Sequence, residues 1–242
     1  RIPPSPPTLT ELGLPVLAHD LLKRTRGILL VTGPASSGKT TTVATLLSVW
    51  NETLSGHIVT LEDPIEYVFE SRRSIVTQRQ VGVDTAGYSQ GLRRVLRQDP
   101  DIVFVGELLN LDTLQIAISA AETGHLVIST LYTPTVTTTL EHLIGMFPAQ
   151  MQDQARVQLS MTIQGVMSQV LIPTPDRSRR VPAFEVLTPS ESLRTSIRQG
   201  NLARSAVMLE TTPGCITMAT SLRQLVAQGL ITIRNSNDPT DI

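Results

Sequence analysis

One eight-residue run constrains this chain more than any other. Gly33-Pro34-Ala35-Ser36-Ser37-Gly38-Lys39-Thr40 follows the pattern G-x-x-x-x-G-K-[ST]. It lies between an apolar run, Gly27 to Thr32 (GILLVT), and an apolar-periodic run, Lys39 to Trp50 (KTTTVATLLSVW). The first reads as a buried parallel strand and the second as the helix that follows it. A glycine-rich turn from strand to helix aims backbone N–H groups at an anion, at the positive end of the helix. Lys39 is then placed to reach the β- and γ-phosphates of a nucleoside triphosphate such as ATP, and the Thr40 hydroxyl to join the shell of a Mg2+ ion. Gly33 to Thr41 form the expected cofactor-binding set.

The rest of the chain repeats this alternation. His57–Glu62 (HIVTLE), Asp101–Glu107 (DIVFVGE) and His125–Thr130 (HLVIST) are short apolar strands, with helical spacing at Tyr88–Gln98 and Leu111–Thr123 between them. The pattern predicts a mostly parallel α/β sheet with helices on both faces, whose ligands gather at the C-terminal strand ends. Beyond Pro148, Ala149–Met161 reads as a helix. Ser168–Pro173 and Val181–Leu187 read as a hairpin pair around an arginine-rich loop. Glu191–Gln199, Leu202–Leu209 and Thr217–Gln228 read as three short helices of a small helical C-terminal subdomain. The expected division is 1–26 linker and lead-in, 27–188 core, and 189–242 helical subdomain and tail. The opening RIPPSPP, rich in proline, reads as extended linker.

Composition excludes several classes. A net charge of −1 without a long basic run argues against a general electrostatic grip on nucleic acid or on an anionic membrane. Arg177, Arg179 and Arg180 form a short basic cluster, read as a solvated loop or a local patch. The single Cys215 rules out an internal disulfide or a four-cysteine zinc site within one chain. No apolar stretch approaches the roughly 20 residues of a membrane span. Scarce aromatics leave a core of Leu, Val, Ile and Ala, and a soluble, cytoplasmic protein fits best.

Candidate catalytic groups cluster at strand ends. Glu62, Asp63 and Glu66 put three carboxylates into five residues around Pro64, which ends the strand. Such acids can hold a Mg2+-bound water or orient the water that attacks a γ-phosphate. Glu107 closes a buried strand and is a second candidate for the Mg2+ site beside Thr40. His125, at a strand edge after Gly124, is a candidate γ-phosphate sensor.

Taken together the motifs resemble the secretion ATPase superfamily of type II secretion and type IV pili, most nearly its pilus-retraction branch. GPASSGKTTT resembles the family's P-loop and TLEDPIEY (Thr60–Tyr67) its aspartate box. QRQVGVDTAGY (Gln78–Tyr88) and LRRVLRQDPDIVFVGE (Leu92–Glu107) resemble the run into its Walker B acid. AAETGHLVISTLYT (Ala120–Thr133) resembles its histidine box, with FPAQMQ (Phe147–Gln152) beyond. The resemblance implies a RecA-like ATPase motor domain using ATP and Mg2+. It makes Glu66 the polariser of the attacking water, Glu107 the Walker B glutamate and His125 the first histidine of the box. It further implies a homo-hexamer or a mixed ring with paralogous subunits, a PAS-like domain upstream of this chain, and an inner-membrane platform protein as partner. The location implied is peripheral, at the inner face of the membrane, with no direct nucleic-acid ligand. Ser192–Ile197 aligns loosely with the retraction-associated AIRNLI motif.

The departures from the family pattern fall in catalytic motifs. Tyr132 stands where the family has its second box histidine, Leu109-Asn110 where it has Arg-Asp, and His142 at an arginine position. Ala35 replaces a threonine conservatively. An arginine that acts in trans contributes on the order of 10³–10⁵ in rate, so the alternative to an active motor is a nucleotide-binding, hydrolysis-impaired ring subunit. A RecA-like nucleic-acid translocase is a third reading, disfavoured by balanced charge and few stacking aromatics.

Overall fold

The computed structural model describes residues 5–15, 19–202, 212 and 214–232. Among the described residues seven strands form one sheet: β1 Gly27–Thr32, β2 His57–Glu62, β3 Ile75–Gln80, β4 Ile102–Glu107, β5 Leu126–Leu131, β6 Ile163–Pro173 and β7 Arg180–Leu187. Their order is β3-β2-β4-β5-β1-β6-β7. All neighbours are parallel except β6 and β7, which form the antiparallel hairpin predicted around the arginine-rich loop.

The central strands are apolar on both faces because helices cover both. Successive side chains of a strand point to opposite sides. On β1, Ile28 and Leu30 therefore join one core with Val59, Val103 and Val127, whereas Leu29 and Val31 join the other with Ile58, Phe104 and Ile128. The first core is closed by α3 Tyr88–Val95, α4 Leu111–Glu122, α5 Val136–Gly145 and α6 Gln152–Thr162. The second is closed by α2 Lys39–Thr53, through Val43, Leu46, Leu47 and Trp50.

The lead-in is more than a linker. Thr8 caps a single turn, α1 Leu9–Leu12, through a capping box with Glu11, and Gly13 ends it at φ 68°. Leu12, Leu14 and Leu21 are buried in the second core, and Trp50 Nε1 donates to the Leu22 carbonyl at 2.9 Å. An amphipathic pattern this short is hard to see in sequence, because one turn of helix carries no periodicity to count.

The other expected elements differ mainly at their ends. Ala149–Met151 forms a 3₁₀ turn before α6 begins at Gln152. Strand β6 starts at Ile163, five residues before the predicted Ser168. Gly165 admits this extension: a Cβ there would sit 2.6 Å from a methyl of Leu21. Edge strand β3 has no counterpart in the sequence reading. Two of the three C-terminal helices are observed, α7 Glu191–Arg198 and α8 Met218–Ala227. The expected Leu202–Leu209 helix lies outside the described residues beyond Leu202. Leu193 and Ile197 of α7 join the first core, while α8 packs on the outer strand β7.

Leu30 is fully buried at the centre of the sheet. Truncating Leu30→Ala should cost about 2–5 kcal/mol of stability, read as a lowered urea midpoint with an unchanged slope.

Candidate functional site

Strand β1 ends between β5 and β6, so the loop 33–38 emerges at the centre of the sheet's C-terminal edge. Its glycines are required by contact as well as by backbone angle. Gly33 has φ 140°, and a Cβ on it would come within 2.2 Å of the Gln169 carbonyl oxygen. Gly38 has φ 89°, and a Cβ there would meet Gln169 Nε2 at 2.9 Å. Gln169, buried on β6, holds the loop from beneath. Its Nε2 donates to the Ser37 carbonyl at 2.7 Å, and its Oε1 accepts from Thr42 Oγ1 at 2.6 Å. Helix α2 has Gly38 as its N-cap, with no side-chain cap bond and no acid in its first turn. The amides of that turn have no intrahelical acceptor and are available to an anion.

The loop borders a cleft of about 760 Å³. One wall is Ala35 to Thr41. Glu62, Asp63 and Glu66 of the β2 corner form a second wall, and Glu107, Tyr88 and Tyr132 a third. Arg180 closes the side nearest β7. The expected acids and P-loop residues thus converge on one space, although they come from three different strand ends.

Each group has a definite environment. Lys39 is nearly buried; its ammonium donates to the carbonyls of Gly33 and Pro34 at 2.9 Å each. The Tyr132 ring lies 4.3 Å from the nitrogen. Burial draws the Lys39 pKa below its ordinary value, against the opposing pull of Glu107. Burial likewise pushes the Glu107 carboxyl up, opposed by Lys39. Glu62 is 6% exposed and is also pushed up by burial. Hydrogen bonds from Thr60 Oγ1 at 2.7 Å and Gln78 Nε2 at 3.1 Å work against that shift. Glu66 accepts from the Thr40 hydroxyl at 3.2 Å, and Thr41 meets the Tyr67 hydroxyl at the same distance.

His125 is not brought to this cleft. It precedes β5, and its carbonyl accepts from the amide of Gly27, the first residue of β1. It therefore sits at the N-terminal edge of the sheet, about 20 Å from the P-loop at roughly 3.3 Å per strand residue. Its ring faces the Ala120 carbonyl at 3.1 Å and Thr123 Oγ1 at 3.3 Å, a local contact. Within its own chain His125 is thus not brought to the cleft expected to hold a γ-phosphate, because β5 runs toward the site and His125 precedes its far end.

Leu109 and His142 are exposed and do not line the cleft. Asn110 has a structural task, since its Oδ1 caps α4 by accepting from Thr113 N and Thr113 Oγ1, both at 2.9 Å. Asn and Asp are about equal as N-caps, so this departure costs the helix little.

Three contributors escaped the sequence reading. Gln169 sits within an apolar strand, and only the parallel pairing of β6 with β1 shows what it faces. Tyr88 appeared only inside a motif. Gly106 leaves room for its ring: a Cβ there would lie 2.8 Å from Tyr88 Oη. Burial, followed by the charges of Asp63, Glu107 and Glu62, pushes the Tyr88 phenol to about 12, so it is a neutral donor at physiological pH. Arg180 was grouped with a solvated loop, yet it is the first residue of β7 and lines a cleft rich in acids.

A nucleotide with Mg2+ fits this donor set. Mg2+ is held by one or two side chains together with phosphates and water rather than by a protein cage. Thr40 and Glu107, which line the same cleft, could supply that sparse set, and the open amides of α2 could supply a phosphate cradle.

The type II/IV secretion system protein family matches residues 15–237. The chain belongs to this family. It is 41% identical over its full length to the type IV pilus retraction ATPase PilT of Pseudomonas aeruginosa, covering 70% of that protein. It is 39% identical over 95% of its length to a twitching motility protein of Neisseria gonorrhoeae, covering 62% of that one. The crystal structure of the pilus retraction motor PilT with bound ADP superposes with a TM-score of 0.91 at 43% identity, over the whole of this chain and 70% of that one. The ATPase DotB of Legionella pneumophila superposes with a TM-score of 0.86 at 29% identity, over 96% of this chain and 64% of that one. The α/β fold is therefore that of the family's ATPases.

Two outcomes follow from the geometry. Gln169→Ala removes both buried braces of the P-loop and should cost about 1–3 kcal/mol of stability, seen as a lowered melting temperature, with weaker ADP binding by calorimetry. Glu62→Gln should raise the melting temperature at pH 8, because it removes a carboxylate whose charged form burial disfavours. A raised carboxyl pKa means that the folded state binds the proton more tightly, so parent stability falls as pH rises through that pKa. The Glu62→Gln advantage should therefore shrink as pH is lowered toward the ordinary carboxyl value of 4.5.

Proposed function

We propose that this chain is the motor domain of a hexameric ATPase that couples ATP hydrolysis to type IV pilus retraction or a related secretion process. The observation that carries the reading is the convergence of Lys39, Thr40, Glu62, Glu66 and Glu107 on one cleft at the C-terminal edge of a parallel sheet. In this reading the α2 amides and Lys39 hold the phosphates, and Arg180 lies against the nucleotide from the β7 side. Thr40 and Glu107 would hold Mg2+, which when bound would supply positive charge against the phosphates. Glu66 sits one hydrogen bond from Thr40, where its carboxylate is placed to accept the proton of the attacking water. Glu62, nearly buried and held by Thr60 and Gln78, keeps that corner rigid.

The ring is made of copies of this chain or of paralogous subunits, at the inner face of the membrane against a platform protein. What supports this is kinship with named pilus and secretion ATPases. No described helix is long and apolar enough to cross a membrane. A second reading, a ring subunit that holds nucleotide and hydrolyses it poorly, is favoured by the Tyr132 ring over the P-loop lysine.

Steady-state phosphate release separates the two. The motor reading expects turnover by the parent and a loss of at least about 100-fold in Glu107→Gln, within the range of one electrostatic contact in a dry site, with ADP binding kept. Parent release no faster than that of Glu107→Gln would leave the non-hydrolysing subunit as the better account.

A further inference from the structure

Across the cleft from the phosphate loop, the β2 and β4 strand ends offer mostly acceptors. Glu62, Asp63, Glu66 and Glu107 line that side, and an ionised carboxylate has no proton to donate. Thr130 lines the cleft as well, but its hydroxyl is committed to the Gly106 carbonyl at 2.6 Å. Tyr88 differs. It is the first residue of α3, its ring packs against the first core, and it lines the cleft. Its hydroxyl oxygen lies against Gly106, where a Cβ would approach it to 2.8 Å and the Leu61 carbonyl oxygen to 3.2 Å. The phenol is therefore held at the seam between β2 and β4, one residue before Glu107. Burial, with the charges of Asp63, Glu107 and Glu62, keeps it protonated. Among the described residues its hydroxyl has no hydrogen-bond partner. Tyr132 carries the other phenol lining the cleft, but that side chain is 58% exposed and its ring lies over Lys39, on the loop side.

We propose that Tyr88 is a specificity-determining residue whose hydroxyl donates to an oxygen of the terminal phosphate of a nucleoside triphosphate, and so favours triphosphate over diphosphate. The proposal rests on the reading of the cleft as a nucleotide site. In that reading the α2 amides and Lys39 serve the phosphates nearest the loop. A third phosphate extends the anion toward the β2 and β4 ends, where the carboxylates repel it and Tyr88 offers an uncharged donor. Hydrogen bonds to an ionised acceptor are about twice as strong as neutral ones. A diphosphate leaves the hydroxyl without that acceptor.

Calorimetric titration of ADP and of the non-hydrolysable triphosphate AMP-PNP, both with Mg2+, into the parent and Tyr88→Phe tests the idea without turnover. The substitution keeps the ring and removes only the hydroxyl, so the melting temperature of the nucleotide-free protein should not change. Tyr88→Phe should bind AMP-PNP roughly tenfold more weakly, the lower end of the worth of a hydrogen bond to a charged group, and should bind ADP as the parent does. Equal losses for both ligands would overturn the proposal, because the residue would then shape the cleft as a whole. Unchanged binding of both would overturn it too, leaving the hydroxyl without a role in recognition. A parent that binds neither nucleotide would overturn the nucleotide reading and the proposal with it. A parent that binds both and releases no phosphate from ATP would remove only the motor reading, and the two titrations would still decide the role of Tyr88.

Discussion

The site depends on how the loop after strand β1 is held. Gly33 lies so close to the Gln169 carbonyl that no side chain fits between them, and the same glutamine grips Ser37 and Thr42. Strand β6, which carries Gln169, is fixed beside β1 by parallel pairing and by apolar packing on both faces. The cradle for an anion is therefore an extension of the sheet. This is the preorganisation that electrostatic catalysis needs, since donors already in place cost no rearrangement when charge develops.

Burial that builds the cleft also perturbs its charges. Lys39, Glu62 and Glu107 are each displaced toward their neutral forms by loss of water. Close by, the Tyr88 phenol is held neutral. A nucleotide with Mg2+ would offset these shifts by giving the lysine an anion and the carboxylates a cation. Stability given up at such a site is recovered when ligand binds.

The sequence made some parts of the molecule legible and hid others for physical reasons. Strands such as Ile102–Glu107 and Leu126–Leu131 are covered on both faces, so they read as unbroken apolar runs. The P-loop was legible because glycine is the residue that tolerates its backbone angles and close approaches. Edge strand β3 was not, because Ile75–Gln80 is half-exposed and polar and carries no apolar run. The lead-in turn at Leu9–Leu12 was too short to show a period, and its buried leucines gain their meaning only from α2 packed above them. His125 was misplaced for a different reason: sequence distance from a motif does not tell which end of a strand faces the ligand.

By itself the sequence determined the fold class, the phosphate loop, the corner carboxylates and Glu107, because each follows from local pattern: apolar runs, glycine spacing, and acids that end strands. Only the tertiary structure decided which residues meet. It put Gln169 under the loop, Arg180 at the cleft wall and Tyr132 over Lys39, and it left His125 at the opposite edge. Strand order and register set those neighbours. Both arise from long-range pairing between segments as far apart as β1 and β6, which local pattern does not encode.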